Sequence, residues 1–160
     1  LKQAHKSVGY AKLELRSAPR LSVRKSASGM RLTVDGIAPG YAVDHPLVPH
    51  GMSVILSAPA VFRFTASASP ERHLEAAGAL GANVSGRRAE DAGAVLADRI
   101  TWFMQRLHVP NGLSAIGYTS SDIPALVEGT LPQHRVTKLS PRPAGPEELA
   151  RLFEAAMVAW

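Results

Sequence analysis

Apolar residues recur at helical spacing along most of this chain, and one regular case lies near its C-terminal end. Leu149, Leu152, Phe153, Ala156 and Met157 fall at i, i+3, i+4, i+7 and i+8, which lines one face of a helix. Pro146, Glu147 and Glu148 suit its start, because proline is pre-set for the first turn and carboxylates favour the positive helix end. Ala89 to Leu107 is the strongest helical segment. Its stripe runs through Ala92, Leu96, Phe103 and Leu107, widened by Val95 and Ile100, and Pro110-Asn111-Gly112 stops it. Ser69 before Pro70 and Glu71 predicts an N-cap, with Leu74, Ala77 and Leu80 as the buried face and Gly81 as the end. Ser121 is the expected cap of a short helix running to about Leu131, with Pro124 tolerable in its first turn. Met52 to Phe64 is apolar on all sides, so period cannot separate a buried helix from a strand. Pro59 tips the balance toward a helix with a proline bend, because proline cannot donate to a strand ladder. Together these segments predict a mainly α domain of about five helices.

The first 40 residues break the pattern. Leu15 to Met30 is rich in Arg and Ser and has no lasting apolar period, and only Leu32 and Val34 hint at a short strand, over Arg31 to Val34. Residues 1–40 hold 8 Lys/Arg against 2 Asp/Glu, so they carry the whole net charge of +5 and the rest is nearly neutral. A basic, acid-poor segment reads as a mobile tail, and its composition also suits an organellar transit peptide. The chain opens on Leu1 rather than Met, which favours a fragment. With 46% apolar and 19% charged residues the remainder is globular, and Pro46 to Phe62, its longest nearly uncharged run, carries three prolines and His50 and is not read as a membrane span.

Candidate chemistry is sparse. The absence of cysteine excludes disulfides, a Cys-based zinc site and a thiol nucleophile. No glycine-rich phosphate cradle and no serine nucleophile elbow occurs in the sequence. Six histidines remain. His73 and His108 sit in helical patterns and read as ordinary helix residues; His134 lies in a loop beside Arg135, and His5 in the basic segment. His45 and His50 differ, because both belong to the proline-bracketed stretch Asp44 to Gly51 (DHPLVPHG) that leads into the most apolar segment. Two imidazoles and a carboxylate there are part of a metal site at most, since a catalytic first-row metal needs about three protein ligands.

GYAVDHPLVPHGMSV, Gly40 to Val54, resembles the segment of iron-containing alcohol dehydrogenases in which a Pro-His-Gly histidine enters the metal site. SPERHLEAAGALGA (Ser69 to Ala82), GLSAIGYTSSDIPALVEGTLPQHRVTKLSP (Gly112 to Pro141) and LARLFEAAM (Leu149 to Met157) resemble the hydroxyacid–oxoacid transhydrogenase branch of that family. The resemblance runs over residues 40–160. It implies the helical C-terminal domain of the dehydroquinate synthase-like fold, with residues 1–39 an irregular basic segment unlike the family. It further implies one divalent iron (Fe2+) held by an aspartate and three histidines, of which His50 alone maps onto this chain as a metal ligand. In that family the iron acts as a Lewis acid while hydride passes to or from a nicotinamide. In this branch bound NAD carries hydride from 4-hydroxybutyrate to 2-oxoglutarate, in mitochondria where the organism is a eukaryote and in the cytoplasm if it is bacterial.

What the resemblance omits matters equally. No histidine lies between His5 and His45, where the family carries another ligand, and the nucleotide-binding half has no counterpart. No catalytic or cofactor-binding residue can therefore be assigned beyond His50. The expectation is an enzyme sequence whose isolated chain is inactive and binds neither iron nor NAD alone. Its partners would be small hydroxyacid and oxoacid substrates, with a homo-oligomer possible and neither specific nucleic acid nor membrane expected. The alternative is a helical binding module with a basic arm for nucleic acid or anionic membrane. Its weakness is that Tyr10 is the only aromatic before Tyr41 to interleave with the basic residues.

Overall fold

The computed structural model describes residues 13–16, 22–25, 48–133 and 138–160. The possible strand at Arg31 to Val34 lies outside the described residues, as do His5, His45 and His134. The chain divides into two compact units, Leu1–Asp35 and Gly36–Trp160. In the first, β1 (Leu13–Arg16) pairs antiparallel with β2 (Ser22–Lys25), Leu13 opposite Lys25 and Arg16 opposite Ser22. This hairpin falls across a stretch whose sequence shows no apolar period. Strands of four residues are too short to display one, and a hairpin closes on backbone N–H···O=C bonds rather than on side-chain pattern.

The second unit contains five α-helices among its described residues: α1 (His50–Thr65), α2 (Pro70–Ala79), α3 (Ala92–Arg106), α4 (Ile123–Thr130) and α5 (Pro146–Ala156). The helical reading of Met52 to Phe64 holds. α1 lies at the centre of the bundle, packed against α3 and α5, with Leu56, Pro59 and Val61 among its buried residues. By length and composition His50–Ala68 would pass for a membrane span, yet half of its apolar window is covered by the rest of the bundle, as in a core helix. Two buried hydroxyls on α1 turn inward on the backbone: Ser53 Oγ donates to His50 O (2.7 Å) and Ser57 Oγ to Val54 O (3.2 Å). Each satisfies a polar group that burial would otherwise penalise.

α3 crosses α1 closely because Gly93 has no side chain: a Cβ there would lie 2.9 Å from Ala66 Cβ and 3.1 Å from Arg63 Cα. Arg63 also pairs with Asp98 at 2.5 Å. The buried stripe of α3 is Ala92, Leu96, Ile100 and Met104, with Gly93 and Ala97 beside it. Phe103 is only half-buried, and Leu107, expected on the stripe, is 56% exposed. The helix ends at Arg106; Leu107, its C-cap, still bonds Phe103 O and shares that half-buried edge of the helix, and His108 then takes a left-handed backbone (φ 55°).

Capping is also set differently from the sequence reading. Ser69 stands at the N-cap of α2, but it is the Ser69 carbonyl that is used, accepting the His73 backbone N–H (3.2 Å) and contacting His73 Nδ1 (2.8 Å). For α4 the cap moves from Ser121 to Thr119. The Thr119 N–H and hydroxyl both donate to Asp122 Oδ2, at 2.7 and 2.9 Å, across a 3-10 turn (Ser120–Asp122) that leads into the helix. Those two bonds, the backbone N–H first, hold the Asp122 carboxyl below its ordinary value near 3.8. A carboxyl whose folded value is depressed stabilises the fold above its unfolded value, and that contribution disappears as pH falls through the folded one. The stability difference between wild type and Asp122→Asn should therefore be constant above about pH 5 and shrink on acidification below about pH 4. Urea unfolding at stepped pH measures it; a difference that does not change with pH would contradict this account.

At the far end α5 is closed by residues that follow α3. Leu113 N–H donates to Ala156 O (2.9 Å) and Ser114 N–H to Met157 O (3.1 Å), occupying carbonyls a helix end leaves open. The Asn111 side chain accepts from the Ala159 and Trp160 N–H groups (2.9 and 3.1 Å) and donates to Trp160 O.

The His50 end of the bundle as a candidate metal site

His50 is the first residue of α1 and its side chain is exposed. Pro49, with φ −54° and ψ 138°, turns the chain into the helix, and its carbonyl accepts the Met52 and Ser53 N–H groups at 2.8 and 3.1 Å. Together with the Ser53 hydroxyl on His50 O, these bonds anchor the histidine's backbone to the buried part of α1. A Pro-His-Gly sequence at a helix start thus presents an imidazole outward from a fixed base.

The other candidates do not gather around it. His73 sits in the first turn of α2, between Ser69 O (2.8 Å from Nδ1) and the Thr65 hydroxyl (3.0 Å from Nε2), with Phe62 edge-on at 5.8 Å between centroids. It is an ordinary helix residue, as its pattern suggests, used to tie α2 to the end of α1. His108 is not: it lies past the end of α3, exposed, in a backbone conformation that few non-glycine residues adopt. Sequence spacing missed this, because the helical pattern reads through to Leu107 and no residue type marks the earlier stop. Along α3, Arg99 lies over the Trp102 ring at 4.2 Å and Arg106 over the same ring at 5.1 Å, while Arg99 Nε donates to Leu80 O (2.7 Å). That stack secures the end of α2.

Among the described residues no group of three or more His, Cys, Asp or Glu side chains is placed to hold a metal ion. Roughly three protein ligands are needed to dehydrate and fix a catalytic first-row cation. The described residues contribute one candidate imidazole and do not by themselves make a metal centre.

Comparison with known proteins places this geometry. Residues 28–157 match the model of the Fe-containing alcohol dehydrogenase family, C-terminal. The match begins twelve residues before Gly40 and so takes in residues 28–39. The hydroxyacid–oxoacid transhydrogenase, mitochondrial, of Mus musculus is 57% identical over 134 residues, covering 81% of this chain and 29% of the relative. Its Xenopus tropicalis counterpart is 62% identical over 120 residues, covering 75% of this chain and 26% of the relative. This chain thus spans less than a third of the relatives it matches. Among solved structures, a 1,3-propanediol oxidoreductase superposes with a TM-score of 0.66 at 27% identity, over 74% of this chain and 32% of the other. An alcohol dehydrogenase from Oenococcus oeni superposes with a TM-score of 0.69 at 21% identity, over 82% of this chain and 34% of the other, a likeness of fold alone. The match over residues 28–157, the helical bundle and the shared fold agree, and the chain belongs to the Fe-containing alcohol dehydrogenase family, of whose C-terminal domain it is an example.

Proposed function

We propose that this chain is the helical, metal-side part of a mitochondrial hydroxyacid–oxoacid transhydrogenase, with residues 40–160 as that domain and His50 as one ligand of its iron. The observation that carries the reading is identity of 57–62% to mouse and frog proteins of that name, a level at which the reaction of the whole enzyme is ordinarily shared. The finer assignments follow from the family. Hydride would move from a hydroxyacid such as 4-hydroxybutyrate to an oxoacid such as 2-oxoglutarate, with NAD as carrier and Fe2+ as the Lewis acid. His50 suits a ligand role: an exposed imidazole on an anchored helix start loses little freedom when it binds. The remaining ligands and the nicotinamide site belong, in this reading, to the parts of the relatives that this chain does not span.

The test pairs two proteins. In the full-length mouse enzyme, alanine at the position equivalent to His50 should cut bound iron and turnover at least ~100-fold, since loss of mere outer-shell partners already costs 10–100-fold. The helical circular dichroism should stay unchanged. The isolated 160-residue chain should bind no stoichiometric iron and transfer no hydride from NADH. Full iron occupancy in that chain, or an active alanine variant, would overturn the ligand assignment.

A further inference from the structure

His108 combines three features that together ask for an explanation. It holds φ 55°, the left-handed region that favours glycine, at the position after a helix end where glycine is the usual residue. It is exposed, so burial of its ring does not offset the backbone strain. Its imidazole makes no hydrogen bond or ion pair among the described residues. An exposed side chain in a strained backbone conformation, without a packing role, is a candidate for contact with something outside the fold.

Its place in the bundle says what. Gly93, near the start of α3, sits against Arg63 and Ala66 at the end of α1, and the two helices then pack along their length. They therefore run antiparallel. Arg106 comes thirteen residues after Gly93, and Met52 comes thirteen residues before Thr65, so at equal rise the end of α3 draws level with the first turn of α1. His108 and His50 lie at the same end of the bundle, on neighbouring helices whose axes are typically about 8–10 Å apart. A four- or five-carbon acid spans roughly 5–6 Å from its reacting oxygen to its far carboxylate, and the two imidazoles, each reaching out from its own helix end, would cover the remainder. Arg106, two residues before His108 and without a carboxylate partner among the described residues, adds positive charge on that side.

We propose that His108 is a specificity-determining residue that receives the carboxylate of the hydroxyacid or oxoacid substrate; this rests on the transhydrogenase reading and on His50 marking the reacting centre. An imidazole donates a charge-assisted hydrogen bond to a carboxylate, which a neutral aldehyde cannot accept equally well.

The test uses the full-length mouse enzyme with its matching C-terminal part replaced by residues 28–160 of this chain. His108→Gly relieves the left-handed strain, so thermal stability should hold or rise, and bound iron should be unchanged. KM for 2-oxoglutarate should rise about 10- to 100-fold, while KM for an uncharged aldehyde of similar length stays within about twofold. His108→Asn, which also tolerates this backbone, should raise KM less than His108→Gly does, because its amide can still donate a neutral hydrogen bond to the carboxylate. If turnover is too slow for a KM, calorimetric titration with 2-oxoglutarate reads the same fold-change. An unchanged affinity for 2-oxoglutarate overturns the proposal, as does loss of iron in either variant, which would place His108 at the metal instead. His50→Ala, measured in parallel by iron content, reports separately on the reading beneath it.

Discussion

Replacing Gly112 with alanine is expected to destabilise the helical unit by about 3 kcal/mol or more, through strain and overlap at one atom. The residue holds φ +71°, which an L side chain rarely adopts, and a Cβ there would meet Met157 O at 2.3 Å and Ala156 O at 2.7 Å. Neither carbonyl can easily retreat, because Met157 O accepts the Ser114 N–H and Ala156 O accepts the Leu113 N–H. The overlap must be relieved by parting the turn after α3 from the end of α5. For a domain of this size that corresponds to a fall in Tm of about 10 °C. Gly86→Ala separates the two causes. Its φ is +69° with nothing within 4 Å of the added carbon, so it pays the strain alone and should lose only about 1 kcal/mol. Equal losses at the two positions would show that the close approach to α5 has no energetic weight.

Phe153→Ala should cost about 3–5 kcal/mol, the range for removing a large aromatic from a packed core. Phe153 is fully buried (0% exposed) on α5, which packs against both α1 and α4, so the void left behind would open between three helices. Leu107→Ala is the matched contrast. The sequence pattern puts both residues on apolar stripes, but Leu107 is 56% exposed and its truncation should change stability by less than about 0.5 kcal/mol. Urea unfolding of the two variants reads the difference directly. Comparable losses would mean that α3 extends beyond Arg106 and buries Leu107 after all.

The candidate site was legible in part. His50 stood out through the Pro-His-Gly sequence and its family resemblance, whereas spacing alone left His45 and His50 equivalent, and His45 lies outside the described residues. His73 read correctly as a helix residue, though not as the tie between α2 and Thr65. His108 was misplaced inside a helix. Helical period reports which residues share a face. It carries no information on the residue at which backbone hydrogen bonding stops, and here that residue decides whether a histidine is part of a helix or projects from its end.

The α5 stripe shows what local sequence determines by itself. Leu149, Leu152, Phe153, Ala156 and Met157 are all buried, because an amphipathic helix at the surface has one face to hide and its period records that face. The helix count, Pro70 and Pro146 in first turns, and the proline within α1 are equally local and were equally readable. Tertiary contacts decided the rest. α1 is helical rather than extended because α3 and α5 both pack against it, and an all-apolar segment has no period to say so in advance. The stripe of α3 is centred on Ala92, Leu96, Ile100 and Met104 because Gly93 lets α1 approach there, against Arg63 and Ala66, about thirty positions earlier in the chain and outside any local window. Gly112 is more costly to replace than Gly86 because residues 156 and 157 return to that point in space. Each of these depends on which distant residue arrives at a given surface, and arrival is a property of the folded chain rather than of any window along it.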